Sequence, residues 1–457
     1  NCTEASDFFL GAAAANMVRV PLYKRNSVEA HTHMIHHTGC RALVVSESLL
    51  GEMGDIRAAA PDLEHVIVRS DTDYEAWLAS HDNRDPDPKI AEADYYIIRH
   101  SGGTTGLPKG MAFTHRSWMM TERNWTYRLP PIEAADACIH VAPISHGSGY
   151  LFVPTWLCGG YNVLEPKFEA ARFLDLISSH GGYAFAVPTI LSDVIALHEQ
   201  QGEARSFDAL KAIAIAGAPI REGTARAAHA IFGDRLHQFF GQTEAVPVTW
   251  MTSREWFGDV PGSTPTASVG RPMPFAEIEI RHEEDGRKLS AGEPGEIAVR
   301  VDGQVETIWG DPAMTAERIV DGWVLTGDIG YFDANGYLYL VDRKDDLIIS
   351  GGYNIWPAEL EVAIAAHPEV REVAVVSAPH PRFGETPAAI VVVRDGASLT
   401  EQDVIELCAT ALGGYKKPTI VELWLEPLPR TPVGKIPRKE LRERFWKGVG
   451  GQRIGGS

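Results

Sequence analysis

The sequence predicts an α/β protein with a large amino-terminal domain, built from parallel sheets covered by helices, and a smaller α+β carboxyl-terminal domain. The chain has 457 residues, which exceeds one ordinary hydrophobic core. Between Phe173 and Phe240, helix-like and strand-like segments alternate, as they do in parallel sheets. Beyond Asp345, a helix-like segment and two strand-like runs can form a core of their own. We therefore divide the chain into residues 1–344 and 345–457.

The composition narrows the class of protein and its partners. With 44% hydrophobic and 23% charged residues, the chain resembles an ordinary globular enzyme. Its net charge of −19 argues against sequence-independent binding to nucleic acid or to an anionic membrane, because both attract basic surface. No apolar run approaches the roughly 20 residues of a membrane span. The cysteines are scattered without C-x-x-C spacing, which favours a reducing compartment such as the cytoplasm.

One stretch organises the large domain: an apolar run at residues 95–98 leads into a glycine-rich loop that ends at Gly110. Glycines bring backbone N–H groups close to an anion, while hydroxyls and a lysine add donors and positive charge. The loop residues that suit this chemistry are Ser101, Gly103, Thr104, Thr105, Gly106 and Lys109. The Walker A pattern fails, because Pro108 precedes the lysine. These residues alone leave a phosphate cradle and a flexible surface hairpin equally open.

Histidines and aromatic residues lie on either side of this loop. Upstream, His33 and His37 are one helical turn apart and could share a metal. No cysteine or carboxylate completes a tetrahedral set, so a partly exposed helix face is the favoured interpretation. Downstream, we predict a helix with core aromatic residues at Trp118, Trp125 and Tyr127.

A histidine follows the next strand-like run, at residues 138–142. Ligands bind open α/β sheets beyond the carboxyl ends of strands, and His146 is expected at such an end. The alternative is a histidine with a purely structural role. We expect the glycines that follow it, Gly147 and Gly149, to leave room for a ligand.

Two further segments follow strand-like runs and should lie at one edge of the sheet. The first contains Gly217, Ala218 and Pro219, and the second is the run Phe240, Gly241, Gln242, Thr243 and Glu244. Phe240 offers an aromatic face to a base, and Thr243 offers a hydroxyl to phosphate. Glu244 is a hard oxygen ligand of the kind that Mg²⁺ prefers beside phosphate oxygens. The alternative for this run is a helix that begins at Thr243.

The carboxyl-terminal third carries further candidate groups. Asp328 can accept hydrogen bonds from both hydroxyls of a ribose, and Arg343 can donate to ribose or phosphate. Lys435 lies in a turn that contains proline and glycine, where a lysine is most often solvated. We expect the neighbouring Arg438 and Lys439 to be exposed companions of this turn.

Four motifs together resemble those of the adenylate-forming enzymes, which include acyl- and aryl-CoA synthetases, luciferases and the adenylation domains of peptide synthetases. In family order they are the loop 101–110, the run 240–244, the long stretch 326–355 and the turn 430–436. Four ordered matches are far more specific than one. The chain departs from the usual pattern at Gly102, where the family has serine, although the aryl-acid branch tolerates a similar Ser-Gly-Gly run.

The resemblance implies an ATP-dependent carboxylic acid:CoA ligase that acts on an acyl or aryl acid, with ATP, Mg²⁺ and coenzyme A. Lys435, Lys109 and His146 are then catalytic, with His146 beside the acyl carboxylate, and Glu244 is the metal ligand. The glycines after His146 are then expected to leave room for the acyl group. Asp345 becomes the hinge about which a mobile small domain rotates, and Gly351 and Gly352 leave a passage for the pantetheine arm. The residues implied to contact the nucleotide are Ser101, Gly103, Thr104, Thr105, Gly106, Gly217, Ala218, Pro219, Phe240, Gly241, Gln242, Thr243, Asp328 and Arg343.

Other functions stay open at this stage. A stand-alone aryl-acid adenylation enzyme that loads a carrier protein would make the same adenylate. A nucleotide-binding regulator without catalysis is disfavoured by the intact Lys435 and Glu244. No arginine stands out in the pocket segments, which disfavours an acid with a second carboxylate. A homodimer is also left open. Asn1 aligns inside the family's fold, so we expect the family's first strands and helices to precede it.

Overall fold

A computed structural model of the chain describes residues 1–23, 26–51, 56–70, 73–101, 108–201, 205–218, 220–350, 353–431 and 435–447. The chain divides into two compact units. Unit 1 comprises Asn1–Glu279, Ala298–Thr326 and Asp333–Leu338, and unit 2 comprises Ile280–Ile297, Gly327–Phe332 and Tyr339–Ser457. The predicted division between residues 344 and 345 stays a prediction.

The amino-terminal part of unit 1 forms short helices beside a two-stranded parallel sheet. Its elements are α1 (Glu4–Ala14), α2 (Val28–His37), β1 (Ala42–Ser46), α3 (Glu47–Leu50), α4 (Ile56–Ala59), β2 (His65–Arg69) and α5 (Asp73–Ala79). The strands pair with Ala42 opposite His65. Leu43 and Val45 of β1 are buried in one cluster with Ile35 of α2.

The central part of unit 1 alternates strands and helices. Its elements are β3 (Tyr95–Ser101), β4 (Lys109–Thr114), α6 (His115–Thr126), β5 (Ala137–His140), α7 (Phe152–Leu157), β6 (Tyr161–Leu164), α8 (Ala170–Ser179), β7 (Gly182–Ala186), α9 (Pro188–Gln201), β8 (Leu210–Ile215), α10 (Glu222–Phe232), β9 (Leu236–Gln242), β10 (Ala245–Thr252), α11 (Ser253–Trp256) and β11 (Arg271–Pro272).

The remaining elements are mostly strands. They are β12 (Ala276–Arg281), β13 (Gly295–Val301), β14 (Thr307–Ile308), α12 (Pro312–Arg318), β15 (Ile319–Val320), β16 (Trp323–Phe332), β17 (Leu338–Arg343), β18 (Ile348–Ser350), β19 (Tyr353–Ile355), α13 (Pro357–Ala365), β20 (Val370–His380), β21 (Gly384–Val393), α14 (Glu401–Leu412), β22 (Ile420–Trp424) and α15 (Arg438–Trp446).

The main sheet of unit 1 has seven strands in the order β11-β10-β9-β8-β7-β5-β6. The strands β9, β8, β7, β5 and β6 are mutually parallel. Strand β10 pairs antiparallel with β9, and β11 pairs antiparallel with β10. The α/β class with a helix-covered parallel sheet is therefore confirmed. The glycine-rich loop belongs elsewhere: β3 and β4 form a separate antiparallel sheet with β14.

Helix α6 packs its aromatic residues as predicted, with one exception. Trp118 and Trp125 are 4% and 1% exposed. Tyr127 is 58% exposed, so its assignment to the core was wrong. The helix ends at Thr126, and Tyr127 lies beyond it with its ring against the edge of Phe275.

Unit 2 contains a mixed sheet in the order β19-β18-β21-β20, with β22 parallel to β21. One face buries Leu360 and Ile364 of α13 against Val375 and Val391. Pro357 occupies the first turn of α13, as predicted. Across the part of the chain that the structure describes, no helix combines the length and the apolar character needed to cross a membrane.

Candidate active site

The glycine-rich loop connects the two strands of an antiparallel hairpin. Ser101 is the last residue of β3 and Lys109 the first of β4, and the two are paired across the hairpin. The loop therefore leaves and re-enters one sheet, rather than leading from a strand into a helix. The predicted phosphate contacts Gly103, Thr104, Thr105 and Gly106 lie outside the described residues, so their role stays a prediction.

Three candidate segments of unit 1 lie beyond one edge of the main sheet. They follow β5, β8 and β9. These three strands are parallel to one another, and β7 lies between β5 and β8 in the sheet. Because parallel strands end at the same edge, residues 143–149, 217–218 and 243–244 share it, as predicted. Gly217 has a φ of +91°, a conformation that favours glycine. Gly217 and Ala218 are exposed, and Pro219 lies outside the described residues.

The run that ends in Glu244 forms the tip of a hairpin, not the start of a helix. Ala245 of β10 pairs with Gln242 of β9, so Thr243 and Glu244 are the two residues of the turn. Two-residue turns join antiparallel strands closely and hold their register. The alternative helix start at Thr243 is therefore wrong.

The hairpin packs tightly beneath its tip. Phe240 is 9% exposed. A Cβ atom at Gly241 would lie 2.8 Å from the carbonyl oxygen of Ala245, so only glycine fits there. The side-chain amide of Gln242 donates to the carbonyl oxygen of Thr326 over 2.9 Å.

The Glu244 side chain suits a cation. The residue is half-buried, and its backbone carbonyl accepts a hydrogen bond from the Val305 N–H over 2.8 Å. Among the described residues, no cationic side chain forms an ion pair with its carboxylate. A half-buried carboxylate without a counter-charge can serve as the single protein ligand that Mg²⁺ commonly takes beside phosphate.

His146 lies in the turn after β5 and contacts an aromatic ring. Its Nδ1 atom is 2.9 Å from the hydroxyl oxygen of Ser145. The rings of Tyr23 and His146 meet edge to face, with their centroids 4.9 Å apart. These two contacts hold the His146 ring against the Tyr23 ring.

The glycines after His146 are required by packing within the protein, and the expectation that they leave space for an acyl group was wrong. A Cβ atom at Gly147 would lie 2.7 Å from the Phe185 ring. At Gly149 it would lie 1.8 Å from the carbonyl oxygen of Ile144. The neighbouring wall is aromatic, because Phe185 lies 5.9 Å from Trp125 between ring centroids.

Sequence reasoning missed Arg99, which supports the histidine turn. Arg99 is 6% exposed and donates from Nη2 to the carbonyl oxygen of Ser145 over 3.1 Å. Its Nη1 donates to the Tyr150 hydroxyl, and its guanidinium lies over the Tyr150 and Trp118 rings at 4.7 and 5.5 Å. An arginine therefore does lie beside segment 143–149. The sequence signal that could have identified Arg99 is its position directly after the apolar run at residues 95–98, within the buried strand β3.

Glu122 of α6 is a second buried ionisable group that sequence reasoning missed. The indole N–H of Trp118 donates to Glu122 Oε1 over 2.8 Å. Burial raises the pKa of Glu122 to about 8, although the Trp118 hydrogen bond and the charge of Arg19 oppose this shift. Burial likewise lowers the pKa of Arg19, whose guanidinium lies 3.7 Å from the centroid of Phe9.

In unit 2, two predicted nucleotide contacts form an ion pair. Asp328 of β16 is 6% exposed, and Arg343 ends β17. Arg343 Nε lies 2.5 Å from Asp328 Oδ1. The structure thus brings these two side chains together, while Gly351 and Gly352 lie outside the described residues.

Lys435 is exposed at the end of its turn. The N–H of Thr431 donates to the Lys435 carbonyl over 2.7 Å, and the N–H of Lys435 donates to the Thr431 hydroxyl over 3.0 Å. These two bonds join Lys435 to Thr431 and hold the backbone of the exposed Lys435 in place.

The prediction that Arg438 is an exposed companion was wrong. Its guanidinium donates to Glu361 Oε2 over 2.7 Å and to the Val375 carbonyl over 3.0 Å. Arg438 is the first residue of α15, which packs on β20, so its side chain turns inward. Lys439 is exposed, as predicted.

The paired histidines of α2 stack on each other. The rings of His33 and His37 are 5.1 Å apart and nearly parallel, and His33 Nε2 lies 3.1 Å from the Pro108 carbonyl oxygen. No group of three or more His, Cys, Asp or Glu side chains within the described ranges is arranged to hold a metal.

Family comparisons match both parts of the chain. Residues 1–309 match the family described as AMP-binding enzyme, and residues 359–435 match the AMP-binding enzyme C-terminal domain. The chain belongs to the AMP-binding enzyme family, within the acyl-CoA synthetase branch of the adenylate-forming superfamily. The second match ends at Lys435.

Three similar proteins cover most of the chain. Fatty acid–[acyl-carrier-protein] ligase ScoC of Streptomyces coeruleorubidus is 32% identical over 96% of this chain and 84% of its own. Long-chain-fatty-acid–CoA ligase FadD13 of Mycobacterium tuberculosis is 31% identical over 97% of this chain and 86% of its own. The crystal structure of ATP-bound MatB from Rhodopseudomonas palustris superposes with a TM-score of 0.85 and 26% identity, over 98% of this chain and 88% of MatB.

Proposed function

We propose that this chain is an ATP-dependent carboxylic acid:CoA ligase that works through an acyl-adenylate. The observation that carries the proposal is the match to an AMP-binding enzyme and to its C-terminal domain in one chain. The chain is an AMP-forming acid–thiol ligase, with ATP and CoA as its co-substrates.

In the first step, a carboxylate oxygen of the acid attacks the α-phosphorus of ATP. A P–O bond forms to the acid, the bond to pyrophosphate breaks, and an acyl-adenylate results. Charge builds on phosphate oxygens, so catalysis consists mainly of positioning and of preorganised positive charge. We assign that charge to Lys109 and Lys435, and we place His146 beside the carboxylate of the acid.

The nucleotide contacts are assigned by the same reasoning. Asp328, held by Arg343, is proposed to accept hydrogen bonds from the ribose hydroxyls. Phe240 and the exposed Gly217 and Ala218 are proposed to face the base. Glu244 is proposed to hold Mg²⁺, which when bound would neutralise charge on the phosphates.

In the second step, the thiol of CoA attacks the acyl carbon and loses its proton, and AMP leaves with the electrons of the broken C–O bond. We propose Asp345 as the hinge between residues 1–344 and 345–457, so that Lys435 serves the first step only. Fatty acids are the first substrates to test, because FadD13 and ScoC are both named for them. A panel should add aryl acids and acids with a second carboxylate.

Lys435→Ala tests the assignment of catalysis. We expect acyl-adenylate formation, measured as pyrophosphate release, to fall on the order of 10³-fold, because one preorganised cation is lost at the developing charge. Thioester formation from presynthesised acyl-adenylate should survive. Lys439→Ala, an exposed lysine four residues further on, is the matched control. Equal losses in both half-reactions would remove Lys435 from its proposed role.

A carrier protein is the second candidate acceptor. ScoC, which covers nearly the whole chain, is named a ligase for an acyl carrier protein. Competition between CoA and a phosphopantetheinylated carrier protein for the same preformed acyl-adenylate would separate the two. A higher kcat/KM for the carrier protein would reject CoA as the main acceptor.

A further inference from the structure

Four charged side chains of unit 2 lie close together, and one of them follows Lys435 closely in sequence. They belong to Asp342, Asp346, Glu361 and Arg438, which we call the Arg438 cluster. Arg438 lies three residues after Lys435. Its guanidinium donates to Glu361 over 2.7 Å, and its Nε lies 3.8 Å from Asp346 Oδ2.

The cluster joins four separate segments through backbone contacts. Arg438 also donates to the Val375 carbonyl of β20, and Glu361 accepts from the Val375 N–H over 2.7 Å. Asp342 accepts from the N–H of Ala358, in the first turn of α13, over 2.8 Å. One guanidinium therefore links residues 342–346 to α13, β20 and α15.

The Arg438 cluster contains three carboxylates and one cation, so the balance of its charges depends on Arg438. Burial by itself would lower the pKa of Arg438, but the carboxylates of Glu361, Asp346 and Asp342 outweigh it and raise that pKa. Arg438 thus stays charged around neutral pH. Without it, the three carboxylates would lie close together and lose the cation that offsets their charge.

The Lys435 segment is anchored on both sides. Upstream, Arg430 donates to Glu372 of β20 over 2.5 Å. Downstream, Ile436 packs against the cluster of Ala374, Val376 and Leu441, and Arg438 follows it. The proposed hinge residue Asp345 lies in the short turn Lys344–Asp346, directly before Asp346.

We propose that Arg438 is a positioning residue for the adenylation step, which fixes the Lys435 segment to the proposed hinge segment within unit 2. This inference rests on the proposed role of Lys435. Arg438 touches no reacting atom in this account and acts through the lysine. Small displacements of a catalytic group can cost about 10²-fold in rate, which sets the expected size of the effect.

The experiment compares Arg438→Met and Arg438→Lys with Lys439→Met, an exposed neighbour on the same helix. Each variant is assayed for pyrophosphate release and, separately, for thioester formation from acyl-adenylate. We expect Arg438→Met to lower adenylation by about 10- to 100-fold with unchanged KM for ATP. Arg438→Lys should recover part of the rate, since lysine keeps the charge but not the fork of donors. Lys439→Met should match the wild type.

A double variant tests whether Arg438 acts through Lys435. If it does, Arg438→Met should cost no more than about twofold in a Lys435→Ala background, because the group it positions is gone. An undiminished cost in that background, or an equal loss in both half-reactions, would overturn the inference. Should Arg438→Met fail to fold, Arg438→Lys alone decides: wild-type adenylation would overturn the inference.

The two proposals fail in different ways. If Lys435→Ala leaves adenylation intact, the catalytic assignment of the lysine is wrong. If Lys435→Ala abolishes adenylation while Arg438→Met and Arg438→Lys behave like Lys439→Met, only the positioning role is overturned.

Discussion

Two arginines, the buried Arg99 of unit 1 and the half-buried Arg438 of unit 2, have opposite surroundings. Arg99 of unit 1 has neutral acceptors and aromatic rings around it, namely the Ser145 carbonyl, the Tyr150 hydroxyl and the face of Trp118. Arg438 of unit 2 has carboxylates around it. Carbonyl dipoles and ring faces stabilise a cation weakly, whereas carboxylates stabilise it strongly. The positive charge of the arginine in turn offsets the negative charge of those carboxylates.

The difference shows what each arginine contributes to its surroundings. Removing Arg438 would leave uncompensated negative charge, so its environment cannot relax cheaply. Removing Arg99 would leave only a carbonyl and a hydroxyl without their donor. The same substitution, arginine to methionine, should therefore have unequal effects in the two units.

The largest effect is expected for Arg438→Met. It should lower the free energy of unfolding by about 3 kcal/mol, the lower end of the cost of breaking a buried charge pair, because this pair is only half-buried. Urea titration followed by circular dichroism at pH 7 measures this. The deficit should shrink at pH 5, because unpaired carboxylates can then take up protons. A deficit below about 1 kcal/mol would mean that water replaces the arginine.

A smaller effect is expected for Arg99→Met. The loss should be about 1–3 kcal/mol, the cost of leaving buried acceptors without a donor. Because Ser145 precedes the proposed catalytic histidine, the KM for the acid should also rise, while the KM for ATP stays constant. A matched rise in both KM values would show general damage instead of a local change in the turn.

At pH 5 the smallest effect is expected for Glu122→Gln, and it grows as the pH rises. Burial holds the pKa of Glu122 at about 8, above the ordinary 4.5. The folded protein therefore binds this proton more tightly than the unfolded chain, so the stability it contributes is full at low pH and falls as the pH rises through 8. Glutamine still accepts from Trp118 but cannot ionise.

The melting temperatures of Glu122→Gln and wild type should consequently diverge as the pH rises from about 5 to 8 and differ by a constant amount above that, with the variant gaining on the order of 1 kcal/mol per pH unit within this range. Parallel melting curves across this range would show that Glu122 stays ionised in the fold. Unit 1 would then tolerate the charge of a buried carboxylate, and the difference between the charged groups of unit 1 and the Arg438 cluster of unit 2 would be smaller.

Sequence reasoning found the fold class because helix and strand periodicities are local. The parallel sheet, the shared edge for residues 217–218 and 243–244, and Pro357 in the first turn of α13 all follow from such patterns. For the run around Glu244 only the alternative, a helix start at Thr243, was wrong, since a two-residue hairpin and a helix start use the same small polar residues.

The misses at the site concern side chains whose partners are distant in sequence. Arg99 and Ser145 are 46 residues apart, and Arg438 and Glu361 are 77 apart. Whether an arginine is solvated or buried depends on such partners, and no local pattern reveals them. The glycines after His146 were misread for the same reason, because Phe185 fills the space beside Gly147.

The two-residue turn between β9 and β10 restricts insertions as well as substitutions. Trp250 of β10 stacks on Phe239 of β9, with centroids 4.9 Å apart and planes 8° from parallel. The pairing between the strands is irregular from Ala245 to Thr249, and it becomes regular where Trp250 pairs with Phe239. A residue inserted at Thr243 or Glu244 must therefore lengthen the loop or be taken up in this irregular stretch, because a shift of the regular pairing by one residue would carry the Trp250 indole to the opposite side of the sheet.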